Sequence, residues 1–307
     1  MILVAGLSPA WQQILVMDEF QRGEVNRAKQ AIWCSSGKVT NVALAVQSLG
    51  GPLVALTVLG GGNGEQIRRE LETEGVPLHS IPCSAETRVC TTVIEERQRT
   101  ITEFVENARP LADSEYAAFM SAFAEEVVRA DVAVLTGSIP PGVPSEMFAQ
   151  CLQAAHGHVR FVLDVRGEEL LRALPHRPFL VKPNREELAR TVGRELRTEA
   201  EIIAAMRELN AQGAEWVLIS QGGGTVLLTS SSETFRFHAL NVPVVNPIGC
   251  GDCLAGGLAF GLERGMTLVD AVKLGIAAAA ENASRLLPSR LDLARVQELA
   301  QMVRRDD

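Results

Sequence analysis

Asn246-Pro-Ile-Gly-Cys-Gly-Asp-Cys-Leu-Ala-Gly-Gly257 is the stretch on which the reading of this chain turns. Small residues lead to a lone carboxylate, Asp252, and an Ala/Gly/Leu run continues from it as a helix. A glycine-rich turn that opens a helix leaves backbone N–H groups aimed at one spot, and the helix dipole adds positive potential there. Such a place binds phosphate or a developing anion. A carboxylate at its rim is placed to take a proton from a hydroxyl attacking that phosphate, so the chemistry suggested is phosphoryl transfer to an alcohol. The same letters also describe a glycine-rich turn ahead of a small-residue packing helix, and this stretch alone leaves both readings open.

Working outward, apolar runs alternate with helical patterns from residue 39 onward, the signature of an α/β fold with a mostly parallel sheet. Strands are expected at 2–7, 53–59, 132–136, 159–163, 178–181 and 215–220, short and rich in Val, Leu and Ile as strands covered on both faces are. Helices are expected at 39–49, 64–74, 114–129, 145–155 and 199–211, then at 252–264, 267–286 and 291–305. Thr198 with Glu201 makes a capping box, and Gly50, Gly75 and Gly213 are C-terminal stops. Residues 11–33 and 88–107 break the rhythm as alternating strand pairs with both faces partly polar. They suit a small sheet standing off the main body, as a lid over a cleft or as a dimer surface. Without a repeat or a linker, 1–307 reads as a single domain carrying that sheet as insertions at about 11–33 and 88–107.

The composition narrows the partners. A formal net charge of -8, with Arg304-Arg305 followed at once by Asp306-Asp307, argues against nucleic acid. The apolar start Met1–Leu7 lacks a charged n-region and is cut short by Pro9, so it reads as a buried strand rather than a signal peptide. Asp270, Lys273 and Glu281 interrupt the best apolar run, so no membrane span is expected, and the cytoplasm is the expected location. Six scattered cysteines read as reduced thiols; Cys250 and Cys253 form a C-x-x-C without further metal ligands nearby and read as small fillers. Histidines 79, 156, 158, 176 and 238 have no metal-like or base-like spacing and receive no role.

Other stretches add to the picture. In Val181-Lys-Pro-Asn-Arg-Glu-Glu-Leu188, Lys182 and Asn184 fall at a strand's carboxyl end, the usual ligand edge of an open α/β sheet. Asn184 and Glu187 suit water-mediated organisation of Mg²⁺ on a nucleotide, or simply an N-cap with an acid in the first turn. Ser220-Gln-Gly-Gly-Gly-Thr225 ends a strand and opens a hairpin whose glycines permit close approach of a nucleotide or only make the turn. Gly60-Gly-Gly-Asn-Gly64 lacks the partners of a dinucleotide fingerprint or a P-loop and reads as a loop near the cleft. Ser36-Gly-Lys-Val-Thr-Asn-Val-Ala43 offers Gly37 for backbone approach, Lys38 as a point charge and Asn41 as a two-way hydrogen bonder, an inventory suited to a phosphorylated polyol. Its alternative is a helix-start turn with a solvated lysine; Arg27 and Arg88 either join Lys38 at a phosphate or are surface charges.

Taken together, these stretches resemble the ribokinase-like PfkB carbohydrate kinases nearly end to end and in motif order. Gly249-Cys-Gly-Asp252 resembles the family's Gly-x-Gly-Asp signature, Asn184-Arg-Glu-Glu187 its Asn-x-x-Glu motif, and Ser36–Asn41 its first glycine signature. Leu7-Ser-Pro-Ala10, Asp18–Arg27, Glu86-Thr-Arg88 and Thr136-Gly-Ser-Ile-Pro-Pro-Gly142 are similar to the branch of 1-phosphofructokinase, tagatose-6-phosphate kinase and the minor 6-phosphofructokinase. The resemblance implies a three-layer sandwich with a small β lid that pairs with that of another subunit, together with ATP and Mg²⁺. It implies Asp252 as base, with the amides of Gly249, Cys250, Gly251 and Asp252 as an anion hole. Lys182, Asn184, Glu187, Ser220, Gly222, Gly224 and Asn282 would serve the nucleotide, and Gln12, Gly37, Lys38, Asn41, Arg88, Ser138 and Arg27 the sugar phosphate.

The chain also departs from the pattern. Gln12 stands where the branch usually has an Asp, Cys90 and Thr92 where an Asn and a Lys are common, and Cys250 in place of a small Ala. Ser36 and Val39 replace glycines of the first signature. The expectation is a kinase acting on a ketohexose phosphate. The alternatives are a kinase for another polyol or a nucleoside, or a regulatory sugar-phosphate-binding protein that has lost catalysis.

Overall fold

The computed structural model describes residues 1–155 and 157–306; His156, read above without a role, and Asp307 lie outside the described residues. β1 (Ile2–Ala5) starts a central sheet, β2 (Ala10–Met17) and β3 (Gln30–Ser36) leave it for a second one, and α1 (Lys38–Ser48) returns. β4 (Leu53–Leu59), α2 (Gly61–Thr73) and β5 (Leu78–Pro82) extend the centre, and β6 (Val89–Glu95) and β7 (Thr100–Val105) complete the second sheet. Alternation then resumes with α3 (Asp113–Val127), β8 (Val132–Thr136), α4 (Met147–Ala154), β9 (Arg160–Asp164), α5 (Gly167–Ala173) and β10 (Leu180–Val181). α6 (Arg185–Val192), α7 (Glu199–Gln212), β11 (Trp216–Ile219) and the hairpin β12 (Thr225–Thr229) and β13 (Thr234–His238) follow. The chain ends in α8 (Cys250–Glu263), α9 (Leu268–Ala283) and α10 (Leu293–Met302).

The nine-stranded sheet has the order β13-β12-β11-β10-β9-β8-β1-β4-β5. It is parallel from β11 to β5, with the antiparallel hairpin at one edge. Side chains alternate between faces, so Ile2 and Val4 join one core while Leu3 and Ala5 join the other. Helices α1, α2 and α8–α10 cover the first face and α3–α7 the second, which makes three layers. The expected strand at 178–181 shrinks to Leu180–Val181.

One expectation fails. Gly60–Gly64 is not a loop beside the cleft, because α2 begins at Gly61. The Glu86 carboxylate accepts the Asn63 N–H (2.8 Å) and occupies the place where a Cβ on Gly61 would project, while the Thr87 hydroxyl accepts the Gly60 N–H (3.0 Å). A carboxylate 23 residues away caps this helix, and a local reading of glycines does not see it.

The second sheet, β3-β2-β6-β7, has both faces partly polar, as expected: Ile14, Val16, Cys34 and Ile94 share one with Gln12 and Thr92, and Trp11 and Trp33 share the other with Gln13 and Ser35. Its register puts Gln13 opposite Trp33 and Trp11 opposite Ser35, so the two indoles meet on the diagonal, stacked 6.1 Å apart. Phe104 shares that face and is half-exposed.

α8 is set against α9 by glycines on both. A Cβ on Gly275 would lie 2.6 Å from the Leu254 carbonyl oxygen, and one on Gly257 would lie 3.0 Å from the Gly275 Cα. Gly275→Ala is therefore expected to lower stability by about 1–3 kcal/mol in urea unfolding, although alanine is the better helix former by about 1 kcal/mol. An unchanged unfolding midpoint would mean that the two helices have room to spare.

Candidate active site

β9, β10 and β11 end on one side of a cleft of about 1000 Å³, with the inner face of the second sheet on the other. This is the carboxyl edge of the parallel sheet, where ligands of open α/β sheets bind. The floor is the start of α8. Its N-cap, Gly249, has φ +79°, and a Cβ there would lie 3.3 Å from both Pro288 Cβ and Ser289 Oγ, so conformation and space both demand glycine. The Cys250 N–H turns back to the Pro247 carbonyl (3.2 Å), which removes it from the four amides expected in an anion hole and leaves those of Gly249, Gly251 and Asp252.

Asp252 lies in the first turn of α8, almost fully buried. The Asn41 amide donates to its Oδ2 (2.7 Å), while Asn41 Oδ1 is buried without a hydrogen-bond partner. Burial, and then the nearby Asp164 charge, push the Asp252 carboxyl up to about 6, against the pull of Lys38, Asn41 and Lys182.

Asp164 is the residue that the sequence reading missed. It is the last residue of β9, 1% exposed, and its Oδ1 stands 3.2 Å from both Lys38 Nζ and Lys182 Nζ. Burial opposes its charge, yet the two ammonium groups prevail and hold its carboxyl below the ordinary range. Lys38 is likewise kept charged: burial works against it, but Asp164, Glu187 and Asp252 raise its pKa. A signal was present, since Asp164 directly follows an expected strand, the same position logic that selected Lys182.

Asn184 and Glu187 form a reciprocal cap. Asn184 Oδ1 accepts the Glu187 N–H (2.8 Å) and Glu187 Oε2 accepts the Asn184 N–H (3.0 Å). Glu187 Oε1 is left toward Lys38 (3.7 Å) and Arg166 (3.8 Å). Ser220, bridged to Asn184, lines the cleft with Gly222, whereas Gly224 stands off its wall. Asn282 also stands off the wall. It is fully buried as a brace, donating to the Ile248 carbonyl (2.8 Å) and the Cys250 sulfur (3.3 Å) and accepting the Ser289 N–H (2.7 Å). Its neighbours Ala279, Ala280 and Ala283 line an apolar end of the cleft with Leu240, Val242 and Val244, which no motif had singled out.

At the opposite end, Gln12, Gly37, Lys38, Asn41 and Arg88 line the wall. Gln12 donates to the Thr92 hydroxyl (2.7 Å) and faces Cys90 in register, so three departures from the family pattern form one contact group. The Arg88 guanidinium donates to the carbonyls of Ser8 (3.0 Å), Pro9 (3.3 Å) and Glu106 (2.9 Å). Arg27 and Ser138 do not reach this wall: both are exposed, Arg27 between β2 and β3, and Ser138 beside Ser8 with its N–H on the Ser8 hydroxyl (3.2 Å).

Among the described residues no three His, Cys, Asp or Glu side chains cluster as ligands for a metal ion. Nor is any helix long and apolar enough to cross a membrane.

The chain is 32% identical to a 1-phosphofructokinase of Haloferax volcanii over 289 residues, covering 90% of this chain and 88% of that one. Among solved structures it superposes on the phosphofructokinase-2 of Escherichia coli in complex with fructose-6-phosphate with a TM-score of 0.89, at 27% identity and 98% coverage of both chains. A ribokinase of Thermotoga maritima shares the fold with a TM-score of 0.79 at 20% identity, over 98% of this chain and 99% of that one. Residues 4–290 match the family described as pfkB family carbohydrate kinase, and the chain belongs to that family.

Proposed function

We propose that this carbohydrate kinase transfers the γ-phosphoryl group of ATP to a hydroxyl of a ketohexose phosphate, with fructose 1-phosphate first and fructose 6-phosphate or tagatose 6-phosphate next. The observation that carries the reading is Asp252, buried at the start of α8 with Asn41 holding one oxygen and a raised proton affinity. On this reading Asp252 takes the proton of the acceptor hydroxyl as its oxygen attacks phosphorus, and the bond to the ADP oxygen breaks. The N–H groups of Gly249, Gly251 and Asp252 face the charge on the transferring group. Lys38 and Lys182, held by Asp164, supply fixed positive charge beside it. Asn41 Oδ1 is free to accept from an acceptor hydroxyl, and Gln12 lies beside it on the acceptor wall.

ATP as donor fits the apolar end for the base, Ser220 and Gly222 for the phosphates, and a cytoplasmic location. Mg²⁺ suits this donor set only through water, because Asn184 Oδ1 and Glu187 Oε2 already serve the cap. When bound, it would neutralise phosphate charge, with Glu187 and Asn184 ordering its waters. A second reading, another polyol or a nucleoside as acceptor, is favoured by one observation: the Arg88 guanidinium is committed to three carbonyls rather than open to a phosphate. The second sheet would act as the lid, and its Trp11, Trp33 and Phe104 face would pair with a second copy to make a homodimer.

Turnover of ATP with Mg²⁺ against ketohexoses, their 1- and 6-phosphates, other polyols and nucleosides tests the acceptor. Activity confined to an unphosphorylated acceptor would overturn the phosphate assignment. Asp252→Asn is expected to bind ATP normally while turnover drops by at least about 100-fold. In the unmodified enzyme kcat/KM should fall as pH drops through about 6, where Asp252 takes up its proton and ceases to be a base; a flat profile down to pH 5 would remove it from that role. Trp33→Glu should shift sedimentation from dimer to monomer, and a dimer that survives the change places the interface elsewhere.

A further inference from the structure

Between the two halves of the cleft runs a network that the proposed chemistry does not use. Ser35 is the next-to-last residue of the second sheet's β3 and directly precedes Ser36, Gly37 and Lys38, which line the acceptor side. Its N–H (2.5 Å) and its hydroxyl (2.9 Å) both donate to one oxygen of Glu70, on α2. The other oxygen of Glu70 is paired with the Arg290 guanidinium. Arg290 in turn donates to the Pro288 carbonyl (2.9 Å). Pro288 and Ser289 press on the Gly249 Cα, each 3.3 Å from where a Cβ would sit, and the Ser289 N–H and the Ile248 carbonyl share the Asn282 brace. Ser289 is fully buried with φ +64°, a conformation that a non-glycine residue holds only where its surroundings dictate it.

We propose that Glu70 and Arg290 are positioning residues, a clamp that fixes the acceptor segment Ser36–Lys38 relative to the phosphoryl segment Gly249–Asp252. The inference rests on the reading of the cleft as a transfer site. The pair is not a solvated surface bridge, since the two side chains are only 16% and 23% exposed. Charge-assisted bonds of this kind hold geometry better than neutral ones. Glu70 is mounted on a helix whose Ile67 and Leu71 are fully buried, so its carboxylate is a fixed point between the two segments. In-line transfer needs the acceptor oxygen and phosphorus within about 3–3.5 Å, and a misplacement of about 1 Å costs up to about 100-fold in rate.

Glu74 supplies the control. It pairs with the same Arg290 (3.4 Å) but is bonded to neither cleft segment. With ATP and fructose 1-phosphate, Glu70→Gln is expected to lower kcat by about 10- to 100-fold and to raise the KM for the sugar phosphate, with the KM for ATP unchanged. Glu74→Gln should leave all three as they are. Thermal unfolding of each variant, kept above the assay temperature, separates this from simple loss of folded protein.

Amide hydrogen exchange supplies a readout that needs no acceptor. Glu70→Gln should speed exchange at both 34–38 and 286–291, and Glu74→Gln at neither. If the unmodified enzyme turns over no ketohexose phosphate yet Glu70→Gln loosens both segments, the acceptor assignment fails and the clamp stands. A folded Glu70→Gln variant with unchanged exchange at 286–291, or one matching Glu74→Gln in kinetics, would overturn the clamp.

Discussion

Two like charges share the floor of one cleft, and their compensation is what the site is built around. Asp164 and Asp252 are both nearly buried, and each disfavours ionisation of the other. Lys38 and Lys182 resolve the conflict unevenly, because both ammonium groups lie 3.2 Å from Asp164. Asp164 therefore stays charged while Asp252 is left with a proton affinity nearer neutrality, because Lys38, the Asn41 amide and Lys182 only partly offset its burial and the Asp164 charge. Two carboxylates in one site thus receive different characters from their surroundings alone, as an acid–base group and a fixed counter-charge require.

That compensation depends on the fold. Asp164 ends β9, Lys182 follows β10, Lys38 and Asn41 open α1, and Asp252 opens α8. Four separate elements bring residues at or beside their ends to one point, the carboxyl edge where open α/β sheets bind ligands. The close seating of α8 on α9 serves the same end. Glycines let the two helices approach until backbone meets backbone, so the helix carrying Asp252 has little freedom to shift.

Much of this was legible in the sequence, for definable reasons. The layer architecture follows from the alternation of short Val/Leu/Ile runs with helical periods, which is a local signal. Lys182 and Asn184 were legible because strand-end position can be read from the chain. Asp164 sat at an equally legible strand end and was passed over because no motif surrounds it. The Gly60–Gly64 stretch was misread because the group that makes it a helix start, Glu86, is remote in sequence. The resemblance assigns Asn282 to the nucleotide, but its side chain turns inward because the Ile248, Cys250 and Ser289 groups converge on it there. None of those three contacts is written in a local pattern.

The departures at the acceptor wall illustrate the same limit from the other side. Read along the chain, Gln12, Cys90 and Thr92 are three separate substitutions, and Arg88 is one intact cation. In the fold, the register of β2 on β6 places Gln12 across from Cys90 and within 2.7 Å of the Thr92 hydroxyl. The Gln12 amide is thereby oriented by a neutral partner, with its carbonyl oxygen left to accept, and no charge in that group requires a counter-charge on the ligand. Arg88, for its part, serves three backbone carbonyls that tie the Ser8–Pro9 turn to the end of β7. On the proposed reading, this wall would select an acceptor by the arrangement of hydroxyl donors that meet Gln12 and Asn41, and positive charge would enter from the cleft floor, through Lys38.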